Sequence, residues 1–136
     1  MEQTGIRVFR KDGLPTVRIG GEVAAHIFDG GLHGGLGASA FIVDLADVGT
    51  GPPVHTHPYA EIFIVLEGAV RLVAGDRAVD ATPDEVCVVD AGVPHSFTNA
   101  GPGRARLVNV HAASTVVTEF VRDTPTDGSY DYNHTG

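Results

Sequence analysis

The chain has one cysteine, no tryptophan, one methionine and only nine lysines and arginines against seventeen acidic residues in 136 positions. Each scarcity excludes something. A lone Cys87 cannot form an internal disulfide and fits a reducing compartment. The formal net charge of -8 argues against nucleic acid, whose phosphates demand clustered Lys and Arg, and against adhesion to anionic membranes. No apolar run is long enough to span a bilayer. The opening Met1-Glu2-Gln3-Thr4-Gly5 lacks the basic and apolar regions of a secretion signal. The expectation is a cytoplasmic protein with no nucleic-acid and no membrane partner. No segment sustains a helical period for a dozen residues, so helix content should be low, and no helix-turn-helix segment is present.

Glycine and proline, by contrast, are plentiful, at 18 and 8. Between them lie short runs rich in Val, Ile, Phe and Thr, the pattern of many short strands joined by tight turns. Strands are predicted over residues 7–9, 16–19, 23–27, 39–45, 62–66, 70–74, 78–81, 85–89, 95–98, 105–110 and 115–121. Gly75-Asp76 reads as a hairpin turn, and Pro83 suits a turn at the start of a strand. The glycine-rich stretch 30–37 lacks the lysine of a phosphate-binding loop and no helix follows it, so it reads as a plain loop. Residues 123–136 are polar and are expected to be mobile, with Tyr130 and Tyr132 available to dock on a partner subunit. The composition is that of one soluble globular domain, and the many short strands make it all-β.

His55, His57, Glu61 and His95 carry the chemistry. Alternate residues of a strand face one way, so His55 and His57 project together, and Glu61 keeps their parity. His95 can close the set from a later strand. Three imidazoles and one carboxylate suit a borderline divalent transition metal, and Fe, Ni, Mn, Zn and Cu all remain open. One such ion per chain is expected.

Gly49, His55, His57, Glu61 and Gly68 fill without a gap a spacing of glycine, five residues, His-x-His, three residues, Glu, six residues and glycine. In this the chain resembles the cupin superfamily, specifically its small single-domain members. Gly92, His95 and Asn99 are similar to the later half of the second cupin motif. Its earlier half departs, with Pro83 where glycine is usual and Asp90 where proline is usual; both are turn positions and neither is a ligand. The resemblance implies a double-stranded β-helix, or jelly-roll barrel, over 39–122, with the N-terminal strands and Gly-rich loop of 1–38 outside it and the polar tail over 123–136 after it. It also implies that His55, His57, Glu61 and His95 hold the metal in the barrel mouth, leaving one or two positions for water, dioxygen or substrate.

Leu107, Asn109 and His111 share one strand face. If that face looks inward, Asn109 and His111 bind substrate or orient a ligand; otherwise His111 is a rim histidine bonded to backbone. Tyr59 either borders the mouth or packs beside the ligands. Phe41, Phe63 and Phe97 are candidate walls or core, and Phe97 shares the parity of His95. Cys87 reads as a buried, packed thiol rather than a nucleophile. His26 and His33 are assigned to the surface or an interface, and His134 to solvent.

Three functions stay open. The first is a quercetin-dioxygenase-like oxidoreductase acting on a small phenolic or enol-type substrate. The second is a cyclase, isomerase or lyase using the metal as Lewis acid, with Glu61 or His111 shuttling a proton. The third is a metal-dependent small-molecule binding protein without turnover. Small cupins usually pair, and a homodimer is expected in which the strands at 7–9 and 16–19 add to, or cover, the neighbouring sheet.

Overall fold

From Ser39 to Leu45 every second side chain is buried and the rest are half-exposed. A strand with one face on a core produces this alternation, and it recurs along most of the chain. The computed structural model describes residues 5–121 and the backbone of 130–133. A single 3-10 turn, Lys11–Gly13, precedes twelve strands in the described residues. These are β1 (Thr16–Ile19), β2 (Glu22–Phe28), β3 (Ser39–Leu45), β4 (His55–Thr56), β5 (Glu61–Glu67), β6 (Val70–Ala74), β7 (Arg77–Ala81), β8 (Val86–Val89), β9 (His95–Asn99), β10 (Ala105–His111), β11 (Glu119–Phe120) and β12 (Tyr130–Asn133). They form two antiparallel sheets, in the orders β12-β1-β2-β3-β10-β5-β8 and β11-β4-β9-β6-β7. This is the expected all-β jelly-roll architecture. Among the described residues no helix is long and apolar enough to cross a membrane.

The inner faces of the sheets make one core. Ile27, Leu45, Phe63, Val65, Ala105 and Leu107 are almost wholly shielded from solvent, and burying each large side chain contributes about 1.5–3 kcal/mol. The N-terminal strands β1 and β2, expected outside the barrel, continue the larger sheet beyond β3 and send Val17, Ala24, Ala25 and Ile27 into the same core.

Several strand expectations need correction. Residues 7–9 form no strand: Arg7 Nη1 donates to the Gly34 carbonyl at 2.9 Å, and Phe9 packs edge-on against Phe28 at 5.4 Å. Residues 115–121 reduce to β11. Upstream of it the chain is drawn off by side chains, with Val116 N–H donating to Asp29 Oδ2 and Val117 N–H to the Tyr59 hydroxyl, both at 3.1 Å. The tail contributes β12, paired with β1 from Thr16↔Asn133 to Ile19↔Tyr130, so Tyr130 and Tyr132 belong to a strand of their own chain's sheet. Positions 122–129 and 134–136, His134 included, lie outside the described residues.

Two motif positions show why the pattern needs those residues. Gly68 turns β5 into β6 with φ +78°, and a Cβ there would collide with the Arg104 carbonyl oxygen. Asn99 is buried at the end of β9. Its Nδ2 donates to the Leu45 carbonyl at 3.0 Å and the Gly103 carbonyl at 2.8 Å, and its Oδ1 accepts from Gly101 N–H at 2.7 Å. One carboxamide thus ties both sheets to the turn before β10. Asn99→Ala leaves these groups without partners and should cost about 2–3 kcal/mol. The expected result is a lower urea midpoint with an unchanged slope; a midpoint equal to wild type would show that the turn is held otherwise.

Candidate metal centre

Strand pairing assembles the site from two pairs. In the smaller sheet His55 of β4 stands opposite His95 of β9. In the larger sheet Glu61 of β5 stands opposite His111 of β10. Directly opposed residues in an antiparallel pair share a face, so each pair points inward at the same end of the sandwich. His57 follows β4 and packs against both sides, its ring 5.4 Å from that of His95 and 4.6 Å from that of His111. All five side chains are buried.

Backbone carbonyls fix which ring nitrogen faces inward. His55 Nδ1 lies 2.7 Å from the Pro53 oxygen, His57 Nδ1 2.7 Å from the Val117 oxygen and His95 Nδ1 2.8 Å from the Val93 oxygen. A carbonyl can only accept, so each Nδ1 carries the proton and donates. The neutral ring then presents a bare lone pair at Nε2. Two of these lone pairs converge on one carboxylate oxygen: Glu61 Oε1 is 3.1 Å from His57 Nε2 and 3.0 Å from His95 Nε2. Lone pairs facing a carboxylate repel unless a cation joins them, either a proton on a ring or a metal among the donors. His57 Nε2 is fully buried, and despite its closeness to Glu61 it has no hydrogen-bond partner of acceptable geometry among the described residues.

Donor atoms of His55, His57, Glu61 and His95 all lie within 4.8 Å of one another. Donors at about 2.0–2.2 Å from a common ion stand roughly 3–4 Å apart, so the cluster fits a single metal. Its imidazole and carboxylate donors are ones that Fe, Ni, Mn, Zn and Cu accept.

The charges agree with that fit. Burial pushes His55 down to about 4, so its ring stays neutral and ready to ligate. Burial would raise Glu61, but the surrounding imidazoles of His111, His57 and His95 outweigh it and hold the carboxyl well below the usual carboxylate range. Burial also lowers His95; the Glu61 hydrogen bond, the Val93 carbonyl and the Glu61 charge together reverse this and raise it. His111 is lowered by burial, which Glu61 only partly offsets.

His111 is thus neither a rim residue nor a fifth member of the donor group. Its Nε2 donates to Glu61 Oε2 at 3.2 Å, its Nδ1 accepts from the Tyr59 hydroxyl at 2.6 Å, and its ring stacks on Phe41 at 4.6 Å. It orients Glu61, whose Oε1 is left to the histidines. The adjoining cavity is bordered by Phe41, Val43, Phe97, Asn109 and His111 and, from the N-terminal strands, by Val17 and Ala25. Phe63 lies beneath the site, edge-on to His95 at 6.0 Å, and Tyr59 lies on the outer side of His111; neither borders the cavity. Cys87 is half-buried beside the core rather than buried. His26 is half-buried, and His33 stacks on Phe28 at 5.3 Å.

Sequence reasoning missed the segment 115–118, whose Val117 carbonyl holds His57, and Asp29, which anchors that segment. A backbone carbonyl leaves no side-chain signature, and Asp29 sits among loop residues with nothing to distinguish it. The cavity walls from β1 and β2 were missed because alternation marks an inward face without saying what it faces.

A jelly roll with a buried His-His-Glu-His cluster at one end defines a class of metal-site barrel, and comparison with known proteins agrees. A family model for the cupin domain matches residues 42–111, just over half of the chain. The chain belongs to the cupin family. Among curated proteins it is similar to the HTH-type transcriptional regulator PuuR of Escherichia coli (strain K12), 30% identical over 59 residues, covering 43% of this chain and 32% of the regulator. Among solved structures, an oxalate oxidase is similar at 26% identity and TM-score 0.62, covering 72% of this chain and 54% of that one. An uncharacterised conserved protein with a double-stranded β-helix domain from Klebsiella pneumoniae shares the fold at 15% identity and TM-score 0.60, covering 87% and 99%. The chain therefore spans about a third of the regulator and about half of the oxidase.

Protons should compete with metal at His95, whose pKa the Glu61 carboxylate raises above the ordinary 6.5, so the competition begins at a higher pH than for a free imidazole. Cobalt(II) affinity, followed by absorbance, is expected to fall as pH drops through 6.5, while His55 contributes no further loss until about pH 4. His57→Ala and His95→Ala should each strip the ion. Full metal content in both variants would refute the site.

Proposed function

We propose that this chain is a metal-dependent cupin enzyme acting on a small oxygen-bearing organic substrate, in a dioxygenase-like oxidoreductase reaction. The observation that carries the reading is the buried cluster of three imidazoles and one carboxylate, of which His55, His57 and Glu61 border a largely apolar cavity. A divalent ion held there supplies Lewis acidity to a bound enol or acid and, when redox-active, electrons to dioxygen. The likeness to an oxalate oxidase supports an oxidative reaction.

The chain's own groups do the rest. Phe41, Val43 and Phe97 exclude water beside the cluster and strengthen its electrostatics. Glu61 Oε2, His111 and the Tyr59 hydroxyl form a continuous hydrogen-bonded path from the cluster to a half-buried phenol. Along it His111 Nε2 can deliver a proton to Glu61 while Nδ1 receives one from Tyr59. Asn109 is buried two residues before His111, and its Oδ1 has no hydrogen-bond partner among the described residues. A substrate hydroxyl would satisfy it, so the preferred ligand carries one oxygen at the cluster and a second polar group toward Asn109. The cavity volume of about 40 Å³ is room for roughly three waters. This favours short enols, diketones or acids over polycyclic phenols. A cytoplasmic setting suits the lone Cys87 thiol.

A second reading, a binding module without turnover, is favoured by the partial match to a transcriptional regulator. One experiment separates the two. Metal content of the purified protein is measured, then oxygen uptake against short enols, diketones, phenols and dicarboxylic acids. Uptake that needs metal and vanishes in His57→Ala is expected. Asn109→Leu should raise KM roughly 3–10-fold, the loss of one hydrogen bond. Metal-dependent ligand binding without turnover would move the binding module ahead, zinc without uptake would indicate Lewis-acid chemistry, and equal binding by metal-free protein would defeat both.

A further inference from the structure

The cavity beside the metal centre changes character with depth. Register across the large sheet sets its inward side chains in rows. Glu61 of β5 and His111 of β10 make the row at the cluster. Phe41 and Asn109 make the next. Val17, Ala25 and Val43, from β1, β2 and β3, make the third. Successive inward rows lie about 6.7 Å apart. All of these side chains border the cavity. Its lining thus passes from carboxylate and imidazole, through one carboxamide, to aliphatic carbon.

Given the metal-dependent reading proposed above, we infer that the substrate is a singly charged amphiphile. It is a short oxo acid or enol whose oxygens meet the cluster and whose uncharged aliphatic tail enters the row of Val17, Ala25 and Val43. The first ground is charge. Among the described residues no lysine or arginine borders the cavity. Arg18, next to Val17 on β1, is exposed on the opposite face, and its Nη1 donates to the Gly21 carbonyl at 3.0 Å. Glu61 and neutral imidazoles leave a divalent ion one positive charge in excess, and one anionic head group cancels it. A second carboxylate, on the tail, would meet aliphatic walls with no cation beside it, at a large desolvation cost.

The second ground is room. Ala24 and Ala25 both border the cavity, so β2 presents two methyl groups where larger side chains would close the aliphatic end. Apolar walls of this kind reward a ligand's own carbon, each buried methylene tightening binding about fourfold. The cavity volume of about 40 Å³ limits the tail to about two to four carbons. The third ground is origin. Val17, Ala24 and Ala25 precede residues 42–111, the span that the cupin family model matches. The wall that meets the tail therefore lies outside the shared domain, and likeness to an oxalate oxidase carries no substrate over to it. Oxalate has two carboxylates and no aliphatic carbon, the reverse of what this lining suits.

The test is absorbance titration of the cobalt(II)-loaded full chain with keto acids, with calorimetry in parallel. Pyruvate, α-ketobutyrate and α-ketovalerate share one head and differ only in tail. α-Ketoglutarate matches α-ketovalerate in length but ends in a carboxylate. Affinity is expected to rise about fourfold with each added carbon. α-Ketoglutarate should bind more than about tenfold more weakly than α-ketovalerate. Ala25→Leu, which fills the aliphatic end, should abolish the gain with length, so that α-ketovalerate binds no more tightly than pyruvate. The wild-type series decides the matter even where that variant fails to fold. Three results would overturn the inference and leave the metal site intact: a series flat in chain length, α-ketoglutarate binding as tightly as α-ketovalerate, or keto acids that leave bound cobalt unperturbed. A protein that takes up no cobalt would overturn the proposed function along with it.

Discussion

Three hydrogen bonds from imidazole Nδ1 to backbone carbonyls are the constraint on which the site depends. Pro53, Val117 and Val93 each hold a histidine by the nitrogen that does not ligate. Each bond fixes ring orientation and tautomer together, so Nε2 arrives at the cluster without a proton. The carbonyls come from three separate segments, and for that reason the fold must be complete before the donors converge. Loss of a cap at any one of them would leave the metal residues in place in the sequence and misdirected in space.

Much of the fold was readable from alternation and punctuation. Residues 39–45, 70–74 and 16–19 fell where strands were expected, because each has an apolar period of two between glycines, prolines or polar turns. The cluster was readable because its members sit at fixed parity, and parity survives folding. What escaped was whatever depends on tertiary hydrogen bonds. β4 is only His55 and Thr56, too short to carry a period, and it exists because His55 pairs with His95. Residues 115–118 have the composition of a strand, yet Asp29 and Tyr59 take their amides. The tail, polar and glycine-rich, gave no hint that its backbone would close the edge of β1.

Glu61 shows how one residue serves two neighbours. Its Oε1 faces the histidines and its Oε2 takes a bond from His111. His111 in turn accepts from Tyr59, whose hydroxyl also receives the amide of Val117, and the Val117 carbonyl holds His57. A chain of hydrogen bonds thus runs from Glu61 through His111, Tyr59 and Val117 to His57, whose Nε2 ends 3.1 Å from Glu61 Oε1. A connected chain of this kind resists piecemeal distortion, because shifting an inner member strains bonds on both sides. It also couples the surface at Tyr59 to two metal-site residues through a handful of contacts.

The larger sheet carries two unlike faces on the same strands. On β10 the inward residues Leu107, Asn109 and His111 change from core to cavity wall to site within five positions, while the outward Val108 and Val110 remain apolar. A strand buried on one face needs polar residues on the other only if that other face meets water. The outward positions on β8 stay apolar although Val86 and Val88 are exposed, whereas the inward end of β10 is polar although Asn109 and His111 are buried. In both places the sequence departs from simple alternation of buried apolar and exposed polar side chains.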